Sequence, residues 1–191
     1  MLSSRFIEAL TYATELHAKQ VRKSSGVPYI SHLLGVTSIA LEYGANEDEA
    51  IAALLHDAIE DQGGAATREE IRRRFGDTVT AIVDGCTDAE TIPKPPWRQR
   101  KEAYIATIPQ ASPSIILVSA ADKLHNARSI LKDYRTLGET VWERFKGGKD
   151  GTLWYYRVVV EAFIARGKTP LIEELERTVA ELEQLVKDDN R

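Results

Sequence analysis

Ala53-Leu54-Leu55-His56-Asp57-Ala58-Ile59-Glu60-Asp61 places one histidine and three carboxylates within six consecutive residues, directly behind an apolar run. Residues four apart on a helix share a face, so His56 would lie one turn from Glu60, and Asp57 one turn from Asp61. The two pairs would stand about 100° apart around the axis and form one broad polar edge. Ile51, Ala52, Leu54 and Leu55 before them read as core. A polar edge on an otherwise buried helix needs protons, partners or a metal ion.

Outward from this stretch, the chain keeps a helical period. Asn46 with Glu49 makes a capping-box signal for the start of the central helix. Gly44 stops the helix before it, which runs from about Ile30 or Ser31 to Tyr43 with His32 in its first turn. A loop from Gln20 to Tyr29 precedes that, and a first helix spans about Leu2 to Lys19 with Phe6, Leu10, Ala13 and Leu16 on period. After Asp61, Gln62-Gly63-Gly64 breaks the chain. Thr67 with Glu70 reads as a second capping box, for a short helix ending at Gly76, and Asp77 as the cap of the next. Pro93, Pro95 and Pro96 exclude helix from the loop that begins at Asp88. A helix follows from about Trp97 to Ile108. Ser112-Pro113, a cap with proline at the first helical position, opens a long helix to about Tyr134. A short helix around Trp142 and Phe145, a break at Lys146-Gly147-Gly148-Lys149, and helices over about Thr152–Ala165 and Pro170–Lys187 complete the pattern. No internal repeat and no strand-like alternation appears, so the expected fold is all-α, a bundle of about nine helices.

With 191 residues, 43% of them hydrophobic and 28% charged, the chain suits one globular domain over 1–191. A net charge of −4 argues against broad nucleic-acid binding. The single cysteine, Cys86, excludes an internal disulfide and a cysteine-rich zinc site. No apolar run reaches the roughly 18 residues of a membrane span, and the N-terminus carries no signal-peptide pattern. A cytoplasmic protein acting on a small molecule, with no nucleic acid or membrane partner, as monomer or homodimer, is the plain expectation.

His32, His56-Asp57 and Asp122 fall on three expected helices. Two imidazoles and two carboxylates suit Mn²⁺, Fe²⁺ or Zn²⁺ better than a softer metal. Four protein ligands on a six-coordinate ion leave positions for water and substrate, which marks a catalytic site rather than a structural one. Each piece alone is ordinary: an His-Asp dipeptide can be a hydrogen-bonded pair, Arg22-Lys23 a solvated loop, Trp154-Tyr155-Tyr156-Arg157 packing. The ordered set H…HDxxED…D is more specific, because each spacing must fit independently.

That set resembles the signature of the HD-domain phosphohydrolases. More narrowly, His17-Ala18-Lys19-Gln20-Val21-Arg22-Lys23, Pro28-Tyr29-Ile30-Ser31-His32, Leu54 to Asp61, and Ala121-Asp122-Lys123-Leu124-His125-Asn126 are similar to the hydrolase domain of the RelA/SpoT homologues. Single-domain members, the small alarmone hydrolases and the metazoan SpoT homologue, are the nearest in kind. The resemblance covers about residues 5–135, and only loosely a C-terminal helical cover at about 139–188. It implies an HD-domain bundle with the metal site between helices. It also implies hydrolysis of the 3′-pyrophosphate of guanosine tetra- and pentaphosphate, (p)ppGpp, with Mn²⁺ as cofactor and Fe²⁺, Zn²⁺ or Co²⁺ as alternatives. By position, the metal ligands are His32, His56, Asp57 and Asp122, and Glu60 and Asp61 handle the attacking water. Substrate contacts fall on Arg22, Lys23, Lys94, Asn126 and Ser129; beyond the matched stretch, the aromatic and basic cluster reads first as packing, with Tyr155 and Arg157 as the candidates to border a purine. His17 and His125 match family positions without being ligands. A related nucleotide such as (p)ppApp, NADPH or a nucleoside monophosphate stays open as substrate, as does a sensor that binds without turnover.

Overall fold

The longest helix is the axis on which the others are hung. In the computed structural model, which describes residues 1–22, 25–88 and 93–189, α8 (Pro113–Leu137) begins where Ser112 accepts a hydrogen bond from the Ile115 N–H and ends at Gly138 with φ 57°. Ile116, Val118, Ala120, Ala121, Leu124, Ala127, Ile130 and Leu131 are buried along it. Against it pack α2 (Ile30–Glu42), α3 (Glu47–Leu55), α6 (Asp77–Cys86), α9 (Gly148–Arg166) and α10 (Pro170–Asp188). The N-terminal α1 (Ser4–Leu16) lies on α3, and α5 (Ala65–Phe75) lies on α6. α7 (Trp97–Thr107) leads through a short 3₁₀ turn, Ile108–Gln110, against α9. Among the described residues there is no strand, only one isolated bridge between Val21 and Pro28.

α3 is the innermost element. Ala50 through Leu55 are all buried, because α1, α2, α6 and α8 surround it. A helix enclosed on every side is apolar all round. Its N-terminus carries the expected capping box, with Asn46 and Glu49 each accepting a backbone N–H from the other.

Its other end departs from expectation. The helix does not continue through the acidic stretch but stops at Leu55 and restarts as the single turn α4 (Ala58–Asp61). At the break, the His56 ring donates Nδ1–H to the Ala53 carbonyl at 2.8 Å. An unbroken helix would offer that same carbonyl to the Asp57 N–H, so the side chain competes with the ladder. Asp57 takes φ −98°, ψ −2°, the bridge region shared by type I turns and many active-site residues. This extra segment brings the α-helical pieces among the described residues to ten.

Smaller departures have equally local causes. Thr67 is not a cap: α5 starts at Ala65 behind Gly64, and the Thr67 hydroxyl donates to the Gln62 carbonyl instead. Asp77 is the first residue of α6, with Gly76 outside it. The expected helix around Trp142 is a 3₁₀ turn over Gly138–Arg144. The glycine-rich break is shorter than expected, since α9 already begins at Gly148. Those glycines make room for a ring: a Cβ on Gly147 would stand 2.6 Å from the Trp97 indole, and one on Gly151 3.1 Å. α10 closes the bundle with Leu171, Ile172, Leu175, Val179, Leu182 and Val186 buried toward α8 and α9.

Candidate metal centre and cleft

Three elements bring the expected ligand residues together. His32 comes from the first turn of α2, His56 and Asp57 from the break after α3, and Asp122 from the middle of α8. His32, His56 and Asp57 each place a ligand atom within 4.8 Å of the other two. His56 Nε2 is 3.0 Å and His32 Nε2 3.5 Å from Asp57 Oδ2. Asp122 Oδ1 closes the ring, 3.3 Å from His32 Nε2 and 3.6 Å from His56 Nε2. Donors about 2.1 Å from one ion are about 3.0–3.4 Å apart at right or tetrahedral angles, so these separations fit a shared divalent ion.

The donor chemistry fits as well. His56 Nε2 is buried and makes no hydrogen bond despite the carboxylate 3.0 Å away, as expected of a nitrogen kept for a metal. Its Nδ1–H is used on Ala53, which leaves Nε2 unprotonated in the neutral ring. Asp57 Oδ2 accepts the Tyr29 hydroxyl at 2.6 Å. Burial would raise the Asp57 carboxyl, but His56 and His32 beside it hold it well below the carboxylate range. Burial would depress His56, and Asp57 and Asp122 instead carry it above the usual histidine value. The Tyr29 phenol is pushed up, first by burial and then by Asp57.

Asp122 is held from two sides, by Lys123 Nζ and Asn126 Nδ2, both at 2.5 Å. Burial opposes its ionisation, yet Lys123 and the two histidines keep the carboxyl well below its ordinary range. Asn126 in turn accepts from Arg22 Nη2 at 2.8 Å. Arg22 therefore reaches the ligand shell through one amide. Lys23 lies outside the described residues.

α4 presents its acids differently. Glu60 is half-buried, and its Oε1 accepts from Lys94 Nζ at 2.6 Å with Arg100 Nη1 at 3.9 Å. Burial and the Asp88 charge raise its carboxyl above the usual value against the pull of Lys94. Asp61 is exposed and accepts from Gln20 Nε2 at 2.8 Å. Gln20 also faces His17 Nδ1 at 2.7 Å, so His17 supports the loop that carries Arg22.

Most of these groups open on one cleft of about 390 Å³, whose lining leaves out His56 and the expected substrate contact Lys94. Arg22, Asp57, Glu60, Asp61 and Asp122 line it, as do Asn126, Ser129 and Tyr155. Ser129 spends its hydroxyl proton on the His125 carbonyl, whereas the buried Tyr155 hydroxyl has no partner. Arg157, in contrast, is exposed and paired with Glu183, outside the cleft lining. Arg98 stacks on Trp154 and pairs with Glu102, also away from the lining.

The cleft lining also carries three cations, Arg100, Lys101 and Lys123. Arg100 and Lys101 pair with Asp88 at 2.6 and 2.7 Å. Lys123 Nζ lies 5.1 Å over the Tyr104 ring and Lys101 Nζ 4.9 Å over the Tyr155 ring. Burial lowers the Lys101 ammonium, with Lys123 pushing the same way. Lys123 is raised, because Asp122 outweighs its burial. Tyr29 and Lys123 carry no role in the sequence reading, although both stand inside the quoted motifs, next to or within three residues of a ligand.

A model of the HD domain matches residues 9–153. Among curated relatives, the guanosine-3′,5′-bis(diphosphate) 3′-pyrophosphohydrolase MESH1 of Xenopus tropicalis is 42% identical over 127 residues, 65% of this chain and 68% of that protein. The Homo sapiens protein of the same name is 37% identical over 131 residues, 67% of this chain and 70% of that one. A solved structure described as a metazoan ortholog of SpoT that hydrolyses ppGpp superposes with a TM-score of 0.79 at 28% identity. It covers 95% of this chain and 97% of that one. The HD domain implies a divalent metal, and the buried histidine–aspartate cluster is where this chain can hold it. With three-quarters of its length inside the family model and a ligand set converging at one point, the chain belongs to the HD-domain family.

Proposed function

We propose that this protein is a metal-dependent 3′-pyrophosphohydrolase of (p)ppGpp, folded as one domain and using Mn²⁺. The observation that carries the reading is the convergence of His32, His56, Asp57 and Asp122 on one point of a cleft that also holds Glu60. The names of its relatives, which act on guanosine-3′,5′-bis(diphosphate), supply the substrate class.

A divalent ion held by those four side chains would acidify a water and offset phosphate charge. Glu60, half-buried and with its carboxyl raised, takes the proton of the attacking water, and exposed Asp61 orients that water from the next position. The water oxygen bonds to the phosphorus on the ribose 3′-oxygen, the bond from that phosphorus to the 3′-oxygen breaks, and pyrophosphate leaves. The displaced proton ends on the 3′-oxygen. Lys123, Lys101 and Arg100 line the cleft and offset the incoming charge. Lys94, which pairs with Glu60 at 2.6 Å, would pass to a phosphate and release the base. Arg22, steadied by Asn126, offers a plane for a purine or a fork for phosphate.

The test is a panel of ppGpp, pppGpp, ppApp, NADPH and a nucleoside monophosphate with the Mn²⁺-loaded protein, following pyrophosphate and orthophosphate release. Pyrophosphate from ppGpp is the expected result. Turnover of monophosphates alone would overturn the assignment, and substrate binding without any turnover would make the protein a sensor.

A further inference from the structure

His125 is not in the cleft lining, and only its backbone carbonyl meets a candidate substrate contact, the Ser129 hydroxyl, yet its ring is built against a proposed ligand. Its Nδ1 lies 2.9 Å from His32 Nδ1, with ring centroids 4.8 Å apart. Between two imidazole nitrogens at that distance, one must donate and the other accept. If His125 donated, the neutral His32 ring would carry its own proton on Nε2, the atom that faces Asp57 and Asp122. Only the reverse arrangement leaves His32 Nε2 with a free lone pair. The hydrogen bond therefore selects the ligating tautomer when His32 Nδ1–H donates to His125.

A second feature is independent of the tautomer. Gly35, one turn after His32 in α2, has no Cβ because the His125 ring occupies that space: a Cβ built there collides with His125 Cδ2 and Nε2. Gly35 has no left-handed φ to justify it, and alanine is the better helix former. The helix accepts a poor residue where the imidazole seats.

We infer that His125, seated in the notch at Gly35, is a positioning residue that fixes the tautomer and ring plane of His32 for metal binding. The inference rests on the metal site proposed above. Partners of this kind on ligating histidines are worth roughly 10–100-fold in metal affinity.

The experiment is calorimetric titration of the metal-free protein with MnCl₂ alone, without nucleotide, on the wild type, His125→Phe, His125→Gln and Gly35→Ala. Circular dichroism and melting of the metal-free forms report the fold. Phenylalanine keeps a ring without an acceptor, and glutamine keeps an acceptor without a ring. His125→Phe is expected to bind Mn²⁺ roughly 10–100-fold more weakly, with His125→Gln recovering most of the loss. Gly35→Ala is expected to weaken binding by displacing the ring. Equal affinity of His125→Phe and wild type would overturn the inference, as would equal losses in Phe and Gln, which would reduce His125 to packing. A wild type that bound no divalent ion would instead bring down the metal reading itself. Failure of ppGpp hydrolysis with these affinities intact would touch only the substrate.

Discussion

Asp57 stands between the parts of the site: it accepts from Tyr29, faces both candidate ligand histidines, and immediately precedes the turn that carries Glu60. Asp57→Asn keeps its size and removes the charge those histidines balance. We expect Mn²⁺ binding to fall below calorimetric detection and pyrophosphate release to vanish, with the circular dichroism of the helices unchanged. Glu60→Gln separates the roles, since it should leave the Mn²⁺ isotherm intact and slow release roughly 10²–10⁴-fold. A Glu60→Gln enzyme at full rate would take Glu60 out of the mechanism. At this scale, the candidate ligands were legible because residue type and spacing are written in the chain. The partner of Lys101 was not. Lys101 owes its place to an Asp88 partner on another segment, and a lysine's neighbours are chosen by packing rather than by sequence distance.

Among the elements, local chemistry decided what could be read. The capping box at Asn46 and Glu49 involves groups three residues apart and appears as expected. Thr67 and Glu70 present the same pattern, but Gly64 admits the chain to α5 earlier and leaves Thr67 inside the helix. The stop at Leu55 was hidden for a further reason: it depends on a side chain taking a backbone carbonyl, at His56 and Ala53, which periodicity does not encode. The cap offers a clean measurement. Asn46→Ala should cost about 1 kcal/mol, read as a lower denaturant midpoint at constant m-value. Because α3 delivers His56 from its far end, the same variant should leave Mn²⁺ affinity unchanged if the loss is confined to the first turn.

Across the whole molecule, α8 joins the site to the cover, bearing Asp122 on one stretch and the seat of α10 along its length. Leu182 on α10 is fully buried, so Leu182→Ala should cost about 2–5 kcal/mol. If 1–191 is one cooperative domain, thermal melting followed by helix signal and by tryptophan fluorescence should coincide for wild type and variant alike. Two separated transitions would divide the C-terminal cover from the rest. The order of helices was readable from apolar spacing, because a bundle repeats one period. Which helix lies at the centre was readable only in α3, whose run from Ala50 to Leu55 leaves no face for water.

The interruption after Leu55 has a consequence for the pair it separates. Adjacent residues on an intact helix do not face each other, so a His-Asp dipeptide in regular geometry would send its two donors apart. Here they meet at 3.0 Å. In the proposed metal site these sequence neighbours would be the two arms of a chelate, tethered by a single peptide unit, so that once one donor is engaged the other is present at high effective concentration. Affinity for the proposed ion would then be drawn from the break in the helix, and a sequence change that mended the helix is expected to weaken Mn²⁺ binding in the same calorimetric titration.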